Sequence, residues 1–224
     1  MTLALIFGIA MGIGNFFNDH TVRAFKKVLG EVTSFVAGVS VTYVFMLLFP
    51  EFVERAFESY HPSIFLSILI GFSIFHIIEK YIYQKAPKKK RFRDLAIEDS
   101  AISFIYHLII GILLFELTSE NLLAGALFFF PVFLHTSVHA LPVDITKVKA
   151  MKLFLATGTL WGVLLAAYIC TPPHIVTTAL IGFVIGALIF SVIRHALPAG
   201  EAGRPVYFIV GVLLYSLVIL LTWL

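Results

Sequence analysis

The sequence predicts an all-α polytopic membrane protein with eight transmembrane helices and both termini outside the cytoplasm. Three observations predict this class: an apolar composition, eight long apolar segments, and an alternation of basic residues between the connecting segments. Of the 224 residues, 60% are hydrophobic, and the mean hydropathy is +0.99. Because a soluble domain is only about half apolar, residues 1–224 are expected to form a single transmembrane domain with lipid as its main partner.

Each apolar segment has close to the length that a spanning helix needs, about 20 residues. The apolar runs are continuous rather than alternating, and in lipid this favours helices, which satisfy every backbone polar group within the span. The eight predicted spans are approximately 2–17, 32–49, 63–83, 99–117, 121–141, 151–170, 174–193 and 205–224.

The basic residues set the predicted orientation. The odd-numbered connections between spans hold fifteen of the sixteen Lys and Arg residues, and the positive-inside rule places such connections in the cytoplasm. In this topology residues 84–98 form a basic cytoplasmic loop. Its run KAPKKKRFRD is interpreted as a topology anchor rather than a nucleic-acid site. The expected location is the cell (plasma or inner) membrane, with multiple passes.

Ionisable residues inside a span are costly and usually face the protein interior, so each is a functional candidate. His135 and His139 lie four residues apart and project from one face of a helix, at a spacing that suits one metal ion. Pro131 cannot donate a backbone hydrogen bond and frees the carbonyl of Leu127, which can open room beside the histidines. The other interpretation is that both imidazoles bond to neighbouring helices.

His107 in the fourth span provides a third imidazole. The short TSEN connection makes spans 4 and 5 antiparallel neighbours, and the predicted depths of His107 and His135 differ by about 3 Å. A site made by His107, His135 and His139 is therefore geometrically allowed. Cys170 is the only cysteine, which excludes a cysteine-based metal cluster.

Four further residues are candidate accessory groups. His76 and Glu79 lie at positions i and i+3 of span 3, where Glu79 is also placed to pair with Lys80 near the membrane surface. Glu98 and Asp99 stand at the start of span 4. These groups are candidates to assist an ion along its path.

Three stretches resemble the ZIP (Zrt/Irt-like) family of divalent metal transporters. GVSVTYVFMLLFPEF is similar to the second helix of that family. ILIGFSIFHIIEKYI resembles its third helix. LIGFVIGALIFSVIRHALPAGEAGRPVYFIVGVLLYSLVILL resembles its last two helices. Eight spans, external termini and a long polar third connection also fit the family.

The resemblance implies a metal site on spans 4 and 5. The family pattern His-Asn-x-x-Glu/Asp-Gly aligns with His107 to Ile112, where the acid position is Gly111. The pattern His-Glu-x-Pro-His-Glu aligns with His135 to Ala140, which keeps both histidines and loses both acids. The chain thus resembles a ZIP core that keeps one position as three histidines and has lost the carboxylates of a second.

The resemblance implies two packed helix bundles that carry an ion toward the cytoplasm by alternating access, with Zn²⁺ as the best candidate. Imidazole also binds copper, iron and nickel. Because three neutral imidazoles leave the charge of a divalent ion uncompensated, a non-transporting sensor or membrane-complex subunit is an alternative. A second alternative, an intramembrane zinc hydrolase, lacks a nearby carboxylate base, so no enzyme is expected. Glycine-rich faces such as Gly182–Gly186 leave open both an internal helix contact and a homodimer.

Overall fold

The structure, a computed structural model, describes residues 1–58, 61–85, 88–138, 149–169, 171–193 and 203–223. Every regular element in these residues is a helix, which confirms the all-α class. A π-helical turn (Val44–Leu48) joins α2 to α3, and a 3₁₀ turn (Pro62–Phe65) leads into α4. The helices are α1 (Thr2–Ala24), α2 (Leu29–Tyr43), α3 (Phe49–Glu58), α4 (Leu66–Lys85), α5 (Lys88–Glu120), α6 (Leu122–Val138), α7 (Lys149–Ala156), α8 (Gly158–Tyr168), α9 (His174–Ser191) and α10 (Pro205–Thr222).

Within the described residues, four helical stretches are long and apolar enough to cross a membrane. They are Leu29–Glu58, Ser103–Glu120, His174–Ser191 and Pro205–Thr222. Shorter apolar helices of 10–17 residues lie in the other four predicted spans: Thr2–Asn18, Pro62–Ile78, Leu122–Val138 and Gly158–Tyr168. The chain therefore has the apolar helices of a membrane-embedded protein, while the count of eight spans and the orientation of the termini stay predictions.

Two predicted segments differ in their local conformation. The segment 84–98 is mostly helical, because α4 continues to Lys85 and α5 begins at Lys88. Its Lys, Arg and Glu residues are good helix formers, so the helix extends beyond the apolar region by which span 4 was identified. The sixth span is divided at Thr157 into α7 and α8.

The helices pack in two groups. The first helix group contains α1 and α5–α8: α5 packs along α8, and α1 packs against α6 and α8. The second helix group contains α2–α4, α9 and α10: α2 packs along α10, and α4 packs along α9. The groups meet where α6 contacts α2 and where α5 contacts α9. These two boundaries position the candidate site.

Paired glycines allow the closest helix contacts. A Cβ atom on Gly111 of α5 would lie 2.0 Å from the carbonyl oxygen of Thr159 in α8, and one on Gly162 would lie 2.0 Å from that of Leu108. Small residues let helix backbones approach in this way in membranes. Equivalent glycine pairs are Gly38 with Gly211 between α2 and α10, and Gly71 with Gly186 between α4 and α9.

The glycine face Gly182–Gly186 packs inside the chain. A Cβ atom on Gly182 would meet the Ser67 hydroxyl at 2.0 Å, and one on Gly186 would meet the carbonyl oxygen of Ile68 at 2.1 Å. This face therefore forms the contact between α9 and α4. Of the two roles that the sequence left open, an internal helix contact or a homodimer, the structure shows the internal contact.

Candidate metal site

His107 lies in α5 at the centre of the first helix group and is 6% exposed. Its Nδ1 atom is 2.7 Å from the carbonyl oxygen of Ser103, one helical turn earlier. Since a carbonyl can only accept, Nδ1 carries the proton and donates it. The other nitrogen, Nε2, therefore carries a lone pair, which accepts a hydrogen bond from the Thr136 hydroxyl at 3.2 Å.

This arrangement is the one that a metal-binding imidazole requires. A ligating histidine typically donates its other ring N–H to a carbonyl or carboxylate, which fixes the tautomer and the orientation of the ring. Ser103 performs that role for His107, and the lone pair of Nε2 points across the contact between α5 and α6. Rotation of the Thr136 hydroxyl would leave this lone pair available to a cation.

His135 lies in α6 and is also 6% exposed. Its Nε2 atom is 3.0 Å from the hydroxyl of Ser191, at the end of α9. Because α6 belongs to the first helix group and α9 to the second, this contact joins the two groups. Any movement of one group against the other would therefore change the surroundings of this imidazole.

Pro131 has the predicted effect on the backbone of α6. The carbonyl of Leu127, four residues earlier, has no Pro131 N–H to accept from. It instead accepts a hydrogen bond from the hydroxyl of Tyr215 in α10, at 2.6 Å. The Tyr215 ring also stacks on Phe130, with centroids 6.1 Å apart. The carbonyl that proline frees thus forms a second polar link between the helix groups.

The structure brings two of the three predicted ligands into one region. The His107 ring bonds to Thr136, which directly follows His135 on α6. The third predicted ligand, His139, lies outside the described residues. In the part of the chain that the structure describes, no three histidine, cysteine or carboxylate side chains converge.

Of the predicted accessory residues, His76 has a described side chain, and it lies away from this site. His76 is exposed on α4, where its ring packs against Phe72 and Phe190 at 6.2 and 6.0 Å. It therefore belongs to the packing between α4 and α9. The side chains of Glu79, Glu98 and Asp99 lie outside the described part of the chain, although their backbones are in α4 and α5.

Three hydroxyl residues of the site escaped the sequence interpretation. Ser103 lies one helical turn before His107, so helical spacing could have identified it. Thr136 aligns with an acid of the ZIP pattern, so the sequence interpretation treats it only as a missing carboxylate. Ser191 comes from a distant helix and has no signal in the local sequence. The hydrogen-bond partners described for the two imidazoles are thus hydroxyl groups and the Ser103 carbonyl.

Gly111, where the ZIP pattern has an acid, leaves no room for a side chain. Gly111 faces the backbone of α8, where even a Cβ atom would lie 2.0 Å from the carbonyl oxygen of Thr159. A carboxylate side chain has no room at this position. The departure from the ZIP pattern is therefore part of the way in which α5 and α8 pack.

Comparison of the chain with protein-family models and with curated proteins gives no match. The resemblance to the ZIP family thus depends on the sequence motifs and their order.

Proposed function

We propose that this protein is a ZIP-like transporter that carries a divalent transition metal toward the cytoplasm by alternating access. Zn²⁺ is the best candidate for the substrate, because three-histidine zinc sites bind tightly. The metal would be held by His107, His135 and His139. The observation that carries the proposal is the His107 imidazole, whose Nδ1–H is fixed on Ser103 and whose Nε2 lone pair faces the segment that contains His135.

The grouping of the helices supports the same mechanism. Alternating access requires two bodies that can move against each other around a central site. His107 and His135 belong to the first helix group, and the contact between His135 and Ser191 crosses to the second. A relative movement of the groups would break this contact and so change the partners of the imidazole.

Metal binding would exchange hydrogen-bond partners rather than create unpaired groups. Before binding, the Nε2 atoms of His107 and His135 bond to the hydroxyls of Thr136 and Ser191. A hydroxyl can rotate, so it can offer its oxygen to the ion or to a water molecule on the ion. Uncharged hydroxyls hold a divalent ion less strongly than carboxylates, which favours release after binding.

One observation favours a second candidate, a metal-binding subunit that does not transport. The ZIP pattern has an acid at the position of Gly111, and the contact of Gly111 with α8 leaves no room for one. Without that carboxylate the charge of a divalent ion is compensated less well along its path. In this case the protein would bind the metal without passing it on.

Replacing a histidine of the site is expected to abolish metal flux. The protein would be reconstituted in liposomes that contain a metal-sensitive dye, and Zn²⁺ uptake compared for wild type, His107→Ala, His135→Ala and His139→Ala. Residues that only hydrogen-bond to metal ligands contribute about 10–100-fold to metal affinity or activity. Loss of a ligand itself should therefore lower the uptake rate by about 100-fold.

His76→Ala is the matched control, because it removes an imidazole from the same membrane domain but away from the site. Its uptake rate should stay within about twofold of wild type, the scale of an ordinary surface substitution. Equal uptake by His135→Ala and His76→Ala would refute the site. Zn²⁺ binding by the wild type without any uptake would establish the non-transporting candidate instead.

A further inference from the structure

A cavity of about 220 Å³ opens between the two helix groups at one end of the molecule. Tyr43, Leu48 and Glu51 line its wall on the second group, and Leu117 and Asn121 line its wall on the first. The predicted topology places the ends of these spans outside the cytoplasm. The cavity therefore lies at the predicted outer surface.

One lining residue of this cavity, Tyr43, packs against two further aromatic rings. The Tyr43 ring lies 5.9 Å from Phe128 and 6.5 Å from Tyr215, measured between centroids. Leu127, which also lines the cavity, precedes His135 by eight residues of α6, or about 12 Å of helix. The cavity thus points toward the candidate site and stops about two helical turns before it.

A buried arginine joins the helix groups beside this cavity. Arg55 of α3 is 7% exposed. Its Nε atom donates to Glu51 of the same helix at 2.6 Å, and its guanidinium also donates to Glu120, the last residue of α5. The carboxylate side chains are more exposed, at 41% for Glu51 and 47% for Glu120.

The two bonds of Arg55 have different consequences. The bond to Glu51 lies within α3 and would survive a separation of the groups. The bond to Glu120 connects α3 with α5, and α3 packs chiefly on α9 of its own group. A separation of the groups at this end must therefore break the bond between Arg55 and Glu120.

We infer that the ion pair of Arg55 and Glu120 is an outer latch, which holds the two helix groups together beside this cavity, the entrance to the metal site. The role as an entrance rests on the proposed transport function, whereas the latch itself is a contact between the helix groups. When the latch opens, Arg55 keeps Glu51 as its partner, so its charge stays paired. Glu120, which directly precedes the cavity-lining Asn121, then loses its Arg55 partner and can attract a cation.

The test measures access to the cavity, which requires no transport. In a Cys170→Ala background, Leu48→Cys places a thiol on the cavity wall at a residue that is 1% exposed. The rate of its reaction with a membrane-impermeant maleimide would be followed in detergent micelles. Glu120→Gln is expected to raise this rate roughly tenfold, which corresponds to about 1.4 kcal/mol.

Two controls separate the latch from a general loss of charge. Glu51→Gln removes the carboxylate that pairs with Arg55 inside α3, and it should raise the rate less than about twofold, the scale of an i,i+4 pair within one helix. His174→Gln removes the imidazole whose Nε2 atom lies 3.5 Å from the Glu58 carboxylate, a contact between α9 and α3 inside the second helix group. This variant should leave the rate unchanged.

A Glu120→Gln rate equal to that of His174→Gln would overturn the latch. Ala124→Cys, a milder change on the same cavity, repeats the measurement if Leu48→Cys lowers the stability. The latch and the transport function can fail separately. If the wild type takes up no Zn²⁺ but Glu120→Gln raises the labelling rate tenfold, transport is refuted and the latch is retained. Normal uptake with unchanged labelling refutes the latch and retains transport.

Discussion

Gly111→Ala is expected to lower the free energy of unfolding by about 3 kcal/mol, the upper part of the range for an overpacked core. The added Cβ atom would lie 2.0 Å from the Thr159 carbonyl oxygen and 2.9 Å from the Cα atom of Gly162. Both neighbours are backbone atoms that cannot rotate away. Helices α5 and α8 must therefore separate, and His107 on α5 must shift with them.

The measurement is reversible unfolding in mixed micelles of detergent and SDS, followed by tryptophan fluorescence. Gly8→Ala is the matched control, because its added Cβ atom would meet the end of the Val163 side chain at 3.3 Å, and such a side chain can adjust. Gly8→Ala should change the stability by less than about 1 kcal/mol. Similar losses in the two variants would show that the backbone contact at Gly111 is not the cause.

Gly111→Glu extends the same reasoning to the site. It restores the acid that the family pattern has at this position, and by that resemblance alone it should improve metal handling. On steric grounds it should instead prevent folding, because a side chain larger than alanine meets the same backbone atoms. A folded Gly111→Glu protein with increased Zn²⁺ uptake would contradict this explanation of the lost acid.

Tyr215→Phe is expected to cost about 1–3 kcal/mol, the penalty for leaving a buried acceptor without its donor. The phenylalanine keeps the ring that stacks on Phe130, so the change removes only the hydroxyl that donates to the Leu127 carbonyl. Pro131 offers no N–H to replace it. In a Pro131→Ala background a backbone N–H becomes available, and the cost of Tyr215→Phe should fall by about 1 kcal/mol.

A double-mutant cycle measures this dependence directly. Unfolding free energies of the wild type, the two single variants and the double variant give the coupling between the hydroxyl and the proline. Tyr207→Phe, an exposed tyrosine on the same helix, should cost less than about 0.5 kcal/mol. Additive costs of Tyr215→Phe and Pro131→Ala would mean that the proline is not the reason for this hydrogen bond.

The sequence by itself determined the features that depend on the composition of short segments. Eight apolar runs predicted the helices, because a chain in lipid must satisfy its backbone groups within each run. Pro131 predicted a free carbonyl at Leu127, because the missing N–H is a property of one residue. Antiparallel packing of neighbouring spans predicted that His107 would lie near the segment of His135.

Tertiary structure decided the features that depend on which distant helices meet. Ser191 and Tyr215 are ordinary residues of two apolar helices, and only the boundary between the groups makes them partners of His135 and Leu127. The sequence shows that Gly111 stands where the family pattern has an acid. The contact with α8 gives a steric reason for the glycine. Hydropathy indicates which segments lie in the membrane, but the crossing of two helices decides which atoms touch. The order of residues along one helix does not contain that information.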